Sequence, residues 1–542
     1  MQYVITLLVA FTHLISSCPA VCLESRSVQV PESDSFLRRA LLSIAVLNDY
    51  VYVEGGEVSS ENDFGSTPVG VTLSISLKES WTNDTVTLDE IDKGSSPYLK
   101  QPALWVDNSS STIFSWGGQG SYDNVSVARD HHLWAFRADD SGKGTWSIQD
   151  PRNSEAFRSS YRTVRGASTT CNGVGYYLGG YAERNSDRRI TEGSRVFDGL
   201  LTYNMTTQQW SNESTEALGY ATWSGSATCL PSIGPAGLIL FLGGSKGGVS
   251  ARSNESDPVS FTNVTIYDPN ANNWYWQSTT GGPPESRVDF CSVGVPGKNG
   301  TFEIFIYGGW NAWNTNTKSY GDVWVLTLPA FRWFKADHGG PARAMHGCAL
   351  VGNCQMISIG GNDNREKGGW RDKDPWQQGI GILDLPSMTW SERYDANGAE
   401  YDSPRDLRVW YSNGAQVQWD NDEVKKLFAQ TAPPGEENSS SKPSKSSAKP
   451  IGAIVGGVVG GVVLLIAIMV IVIFKRRSRK GSTEKSSGNT SEGWNKAELP
   501  GDSQGAVLRH ELDSDRQHLE LPVAGLEVPP TKKPGQRYEL EG

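Results

Sequence analysis

Six times along the chain a short apolar run closes on a Gly-Gly pair, and a second run, a polar turn and a Trp follow. The stretch from Leu238 to Trp276 shows the unit most plainly. LILFL ahead of Gly243-Gly244 reads as one strand, Val264 to Tyr267 as a second, 268–273 as a turn and Trp274 onward as a third. Runs of this length, rich in β-branched and aromatic residues and bounded by Gly, Asn, Asp and Pro, favour strands and turns over helices. The other pairs stand at Gly55-Gly56, Gly117-Gly118, Gly179-Gly180, Gly308-Gly309 and Gly360-Gly361. The Trp residues that follow the six pairs are Trp81, Trp146, Trp210, Trp274, Trp333 and Trp390, spaced 57 to 65 residues apart. A further strand precedes each Gly-Gly strand, for example ALWVD at 103–107 and the run ending at Cys229. Four strands per unit at a nearly fixed period is the signature of a repeat architecture.

The pattern resembles the kelch type of β-propeller, the superfamily that also contains the central domain of galactose oxidase. The resemblance covers roughly Phe36 to Tyr394. It rests on the Gly-Gly pairs and on an aromatic or Leu seven residues before four of the Trp residues, at Tyr203, Tyr267, Leu326 and Leu383. An Arg also stands ahead of several first strands, at Arg38, Arg165, Arg287 and Arg343. The second unit departs by inserting ADDSGKG before Trp146, and the first has a shortened turn before Trp81. The resemblance implies an all-β, six-bladed kelch-like β-propeller over residues 36–420, preceded by an N-terminal segment, 21–35. It also implies a single-pass, membrane-anchored form like that of fungal kelch-repeat surface proteins. In such a fold each blade cannot bury both faces alone, so neighbouring blades supply the core, and the repeated Trp residues are packing.

Two longer apolar runs change the picture. Residues 1–20 read as a secretory signal peptide, with an apolar stretch from Val4 to Phe11 and small residues before a cut after Ala20. Ile451 to Phe474 carries no charge and is followed at once by a basic cluster, Lys475 to Lys480. That reads as one transmembrane helix, with the N-terminus extracellular at the plasma membrane and the tail cytoplasmic. Gly452, Gly456 and Gly460 form a small-residue stripe along this helix, which predicts a homodimer through it, simple composition being the competing reading. Residues 421–450 read as a Ser-, Pro- and Lys-rich stalk, and 475–542 as a disordered cytoplasmic tail. Its recurring Glu-Leu pairs suit short motifs for a cytosolic partner, or chance in a tail of that composition.

Cysteine and sequon usage suit an oxidising compartment. Beyond the signal peptide six cysteines remain, Cys22, Cys171, Cys229, Cys291, Cys348 and Cys354. The expected bridge is Cys348 with Cys354, folded together by a Gly352-Asn353 turn. Cys171, Cys229 and Cys291 hold similar places in their repeats, so a bridge between neighbouring blades stays open. N-glycosylation is expected at Asn83, Asn108, Asn124, Asn204, Asn212, Asn254, Asn263, Asn299 and Asn438.

Candidate chemistry is sparse. Beyond the signal peptide and ahead of the expected span the histidines are His131, His132, His338 and His346, with no dense ligand cluster around them. No nucleophile, metalloprotease or phosphate-loop motif is present, so neither a cofactor nor a catalytic residue is assigned. The formal net charge of -11 and the absence of a basic stripe argue against nucleic acid as a partner. What remains is recognition, through the long connections after the Gly-Gly pairs. Those of the last two units hold Trp310 and Trp313, then Arg365, Trp370, Arg371 and Trp376. Exposed Trp beside charged groups suits stacking on sugars or anchoring a protein; Trp folded back over a blade edge is the alternative. The expected function is a cell-surface glycoprotein that binds an extracellular glycan or protein ligand. The alternative is a membrane-tethered propeller enzyme of galactose-oxidase-like type.

Overall fold

The structure, a computed structural model, describes residues 30–429 apart from 62, 123, 250, 254, 314–318, 364–368 and 416. Six four-stranded antiparallel sheets follow one another along the chain. Their first strands are Ser43–Leu47, Ala103–Asp107, Ala167–Cys171, Ser226–Leu230, Cys291–Pro296 and Gly347–Val351. Each lies beside its counterpart in the next sheet, and the last lies beside the first. This mostly β arrangement fits an all-β, kelch-type propeller.

The seven-residue spacing has a simple cause. It is the distance along the chain between directly opposed residues of the third and fourth strands, so Tyr203 faces Trp210, Tyr267 faces Trp274, Leu326 faces Trp333 and Leu383 faces Trp390. Directly opposed aromatic or apolar pairs of this kind each contribute roughly 0.2 to 1 kcal/mol to a sheet. The rings of Tyr267 and Trp274 lie 4.7 Å apart. The first unit differs from its expected form: its fourth strand is Asp89–Asp92, and Trp81 instead pairs with Tyr394, downstream of the sixth sheet.

Core clusters bridge adjacent sheets. Leu240 and Ile266 of the fourth sheet pack with Ile304 and Leu326 of the fifth. Val53 and Leu73 of the first pack with Ile357 and Ile382 of the sixth. Burying one such side chain contributes roughly 1.5 to 3 kcal/mol. The Gly-Gly pairs end the second strands at positive φ throughout; at Gly179 and Gly180 it is +67° and +90°. A Cβ on Gly179 would stand 2.1 Å from the Thr222 carbonyl oxygen of the adjoining segment. Conformation and space both demand glycine there.

In a four-stranded meander, connections between strands one and two, and three and four, lie at one end of the sheet. Those between two and three, and onward to the next sheet, lie at the other. The second set here is long and carries its own strands, including Phe36–Ala40 with Glu57–Ser60 and Tyr181–Glu183 with Ser194–Val196. We call this end the loop face and the other the turn face. On the turn face two helices, Arg405–Ser412 and Asp422–Ala429, cover the fifth and fourth sheets. Val424, Leu427 and Phe428 enter the core cluster that holds Ile233, Leu238 and Phe331. The expected stalk is therefore corrected at its start, because residues 422–429 fold onto the core.

The single-pass plasma-membrane location is also corrected. Among the described residues no helix is long and apolar enough to cross a membrane. The expected span with its Gly452, Gly456 and Gly460 stripe, the signal peptide and the tail lie outside the described residues.

Candidate functional site

The loop face has a mouth at its centre, and the sequence builds it six times over. Two residues ahead of every first strand stands a residue in left-handed conformation: Leu41, Gln101, Arg165, Ser224, Asp289 and Met345, with φ from 49° to 63°. Such a conformation costs a non-glycine residue about 1 kcal/mol or more, and persists only where surroundings enforce it. Here the enforcement is a belt of backbone bonds. The amides of Gln101, Ser224, Asp289 and Met345 donate to the carbonyls of Leu41, Arg165, Ser224 and Asp289 at 2.6 to 3.1 Å. The Leu41 amide donates to the Met345 carbonyl at 2.9 Å.

Side chains of this belt line a cavity of about 240 Å³. Arg165 crosses it, its Nη1 donating to Asp289 Oδ2 at 3.1 Å and its Nε to Gln101 Oε1 at 2.9 Å. Burial works against this charge, but Asp289 outweighs it and holds the guanidinium above its usual pKa. His346 and Cys348 line the same cavity. His346 is buried and neither of its ring nitrogens has a hydrogen-bond partner. Burial, helped by the Arg343 charge, pushes its pKa down to about 3; the nearby Tyr307 backbone opposes the shift without reaching hydrogen-bond geometry. The imidazole is neutral at ordinary pH.

Around the mouth, Arg287 and Arg343 of the repeated set, together with Arg162, lock the Gly-Gly turns. Arg287 donates to the Gly308 carbonyl at 3.0 Å and to Asp322 at 2.6 Å. Arg343 bonds the Gly360 carbonyl and, at 3.0 Å, Asp374. Arg162 grips the Gly117 carbonyl at 2.9 Å.

The expected ligand residues are only partly brought together. Trp310 is half-buried, and its Nε1 donates to Asp289 at 3.0 Å, which ties it to the mouth. Trp313, also half-buried, donates to the Ser256 carbonyl at 2.9 Å and so pins the connection of the fifth sheet to that of the fourth. Trp370 is half-buried and Arg371 exposed; Arg365 lies outside the described residues. Trp376 is corrected: it is 8% exposed, Arg343 stacks over it at 4.0 Å, and Trp390 packs against it at 4.6 Å, so no ring face is free for a ligand.

The Cys348–Cys354 bridge is corrected too. Among the described residues the bridges are Cys171–Cys229 and Cys291–Cys348, each joining the first strands of neighbouring sheets, while Cys354 is a buried free thiol. Hairpin register explains the outcome: Cys348 sits opposite Ser358, four places away from the turn that holds Cys354. Asn83 is a third correction. It is 1% exposed and its amide donates to the Ile380 carbonyl at 3.0 Å, which leaves that nitrogen no room for a glycan. Asn108, Asn124, Asn212, Asn263 and Asn299 are exposed and Asn204 is half-buried; Asn254 and Asn438 lie outside the described residues.

The remaining histidines are dispersed. His131 packs between Trp116 and Phe157, with burial lowering its pKa. His132 bonds Asp150 at 2.9 Å, and His338 is exposed. The inserted ADDSGKG is a structural turn, in which Asp139 Oδ1 accepts from the Ser141 and Lys143 amides at 2.9 and 3.1 Å.

Sequence reasoning missed the belt residues Gln101, Ser224, Asp289 and Met345. Their signal was positional, two places before each first strand, and they share no residue type. Over 392 residues, 65% of its length, the chain is 25% identical to a kelch repeat-containing protein of Arthroderma benhamiae. It spans 56% of that relative. No family model matches the chain. The likeness and the sheet architecture together fit a kelch-type propeller.

Proposed function

We propose that the six sheets are the blades of a closed kelch-type ring, and that the protein binds a protein partner through its loop face without a reaction of its own. Closure rests on the Leu41 amide bonded to the Met345 carbonyl, and on the pairing of Arg393–Tyr394 with Trp81–Thr82. The observation that carries the binding reading is the asymmetry of the faces. The long connections, the mouth and the exposed Arg371 share one face, while the chain's own helices Arg405–Ser412 and Asp422–Ala429 cover part of the other. Kelch repeats commonly serve protein interaction, and inter-sheet disulfides such as these form in oxidising compartments.

Full-length protein carrying a photoreactive residue at Arg371 is the test, with one at Asn172, exposed on the turn face, as the comparison. A protein adduct of defined mass is expected at 371 and not at 172, and is expected to disappear in Trp313→Ala. Adducts at 172 alone would overturn the loop-face reading. Binding confined to a glycan array would replace the protein ligand with a sugar. Copper-dependent oxidation of sugar alcohols would replace recognition with catalysis.

A further inference from the structure

Cys291, His346 and Cys348 bring two sulfurs and an imidazole nitrogen within 4.8 Å of one another, and His346 and Cys348 line the mouth cavity. As the protein stands, the sulfurs are joined to each other, and the imidazole has nothing to bind. A buried imidazole with neither nitrogen bonded to a protein group is a costly arrangement. Its position beside the bridge gives it a use once the bridge opens.

We propose that reduction of Cys291–Cys348 creates a site for a thiophilic divalent cation, with the two sulfurs and one His346 nitrogen as ligands and the fourth position open to the cavity. Two thiolates and one neutral imidazole around a divalent cation make a neutral centre, which a buried position tolerates better than a bare ion pair. The neighbouring Arg343 is paired with Asp374 at 3.0 Å, which offsets part of its charge, and what remains favours thiolates over thiols. Two Cys and one His with an open position is an established zinc donor set. The strand geometry suits it as well: the two Cα atoms are 5.7 Å apart and belong to first strands of adjacent sheets held together by the belt.

The redox step balances with a named reductant. A trialkylphosphine attacks one sulfur, the S–S bond breaks, and water supplies the oxygen of the phosphine oxide and the protons of the two thiols. Binding of the cation then releases those two protons.

The molecule contains its own control. Cys171–Cys229 makes the same inter-sheet link with Cα atoms 5.4 Å apart. Among the described residues no His, Asp or Glu completes a cluster with it.

The test is titration of the full-length protein with cobalt(II), oxidised and after phosphine reduction without oxygen, read by thiolate-to-metal charge-transfer absorption. One equivalent is expected in the reduced protein and none in the oxidised. Cys291→Ser should weaken binding about tenfold or more, and His346→Asn should weaken it and alter the visible d–d bands, whereas Cys171→Ser should leave the titration unchanged. Near-UV circular dichroism follows the fold throughout. A reduced protein that takes up no cobalt, equal uptake by Cys291→Ser and wild type, uptake by the oxidised form, or loss of the fold on reduction would each overturn the proposal. A failure here is separable from failure of the partner-binding reading, because the cobalt titration needs no partner.

Discussion

The two faces of this protein are held by different physics. On the loop face, long connections fold back on themselves through buried guanidinium groups: Arg162, Arg287 and Arg343 each bond a Gly-Gly carbonyl, and the last two also pair with Asp322 and Asp374. On the turn face, connections are short and the cover is apolar, with Phe428 set against Phe331 and Trp419. Charge-assisted bonds fix direction and leave polar groups at the rim. Apolar cover contributes stability with little direction. A surface meant for recognition needs the first, and a surface that only closes the core needs the second.

Breaking each cover separately tests that contrast. Arg343→Ala takes from the buried Asp374 its closest cation, leaving it Arg38 at 3.7 Å, and also frees the Gly360 carbonyl; it should cost about 3 to 5 kcal/mol, read by denaturant unfolding. Phe428→Ala on the turn face should cost somewhat less, about 3 kcal/mol, because Val424 and Leu427 of the same helix keep their places in the core and no charge is left unpaired.

Acid should act on the two faces in opposite senses. Burial alone would raise the Asp322 carboxyl, but its bonds with Arg287 outweigh that and hold its pKa below the usual range. Its stabilisation is present above the ordinary carboxylate pKa of about 4 and is lost as pH falls through the lowered value. Glu303, on the turn-face side and bonded to Thr327 and Ser403 at 3.2 Å, has its pKa raised by burial. It is best tolerated protonated, so its contribution is lost as pH rises from about 4 through the raised value. Asp322→Asn should therefore destabilise the protein at pH 7 and much less in acid, whereas Glu303→Gln should stabilise it at pH 7. Equal slopes of stability against pH in both variants would erase the contrast. The smallest effect is expected at Arg371, which is exposed: Arg371→Ala should shift the melting temperature by about a degree or less while weakening partner binding.

How much of this was legible beforehand depends on the range of the interaction. The pairing of third with fourth strands follows from local rules, since a hairpin register is set by its own turn. Tyr267 and Trp274 advertise that register through their spacing. Trp81 misled because its partner, Tyr394, lies at the far end of the repeat array. Cys348 misled for the same reason: Cys354 is near in sequence, but Cys291 is near in space.

The sequence alone therefore determined the repeat, its strands and the need for glycine at the paired positions, because each depends on contacts within a few residues or on the conformation of a single one. Only the tertiary structure decided which cysteines meet, that Trp376 and Asn83 are buried, and that Gln101, Arg165, Asp289 and Met345 share one mouth. Those residues come from different sheets, and the backbone belt that joins them is indifferent to side chain, so no pattern of residue types marks it along the chain.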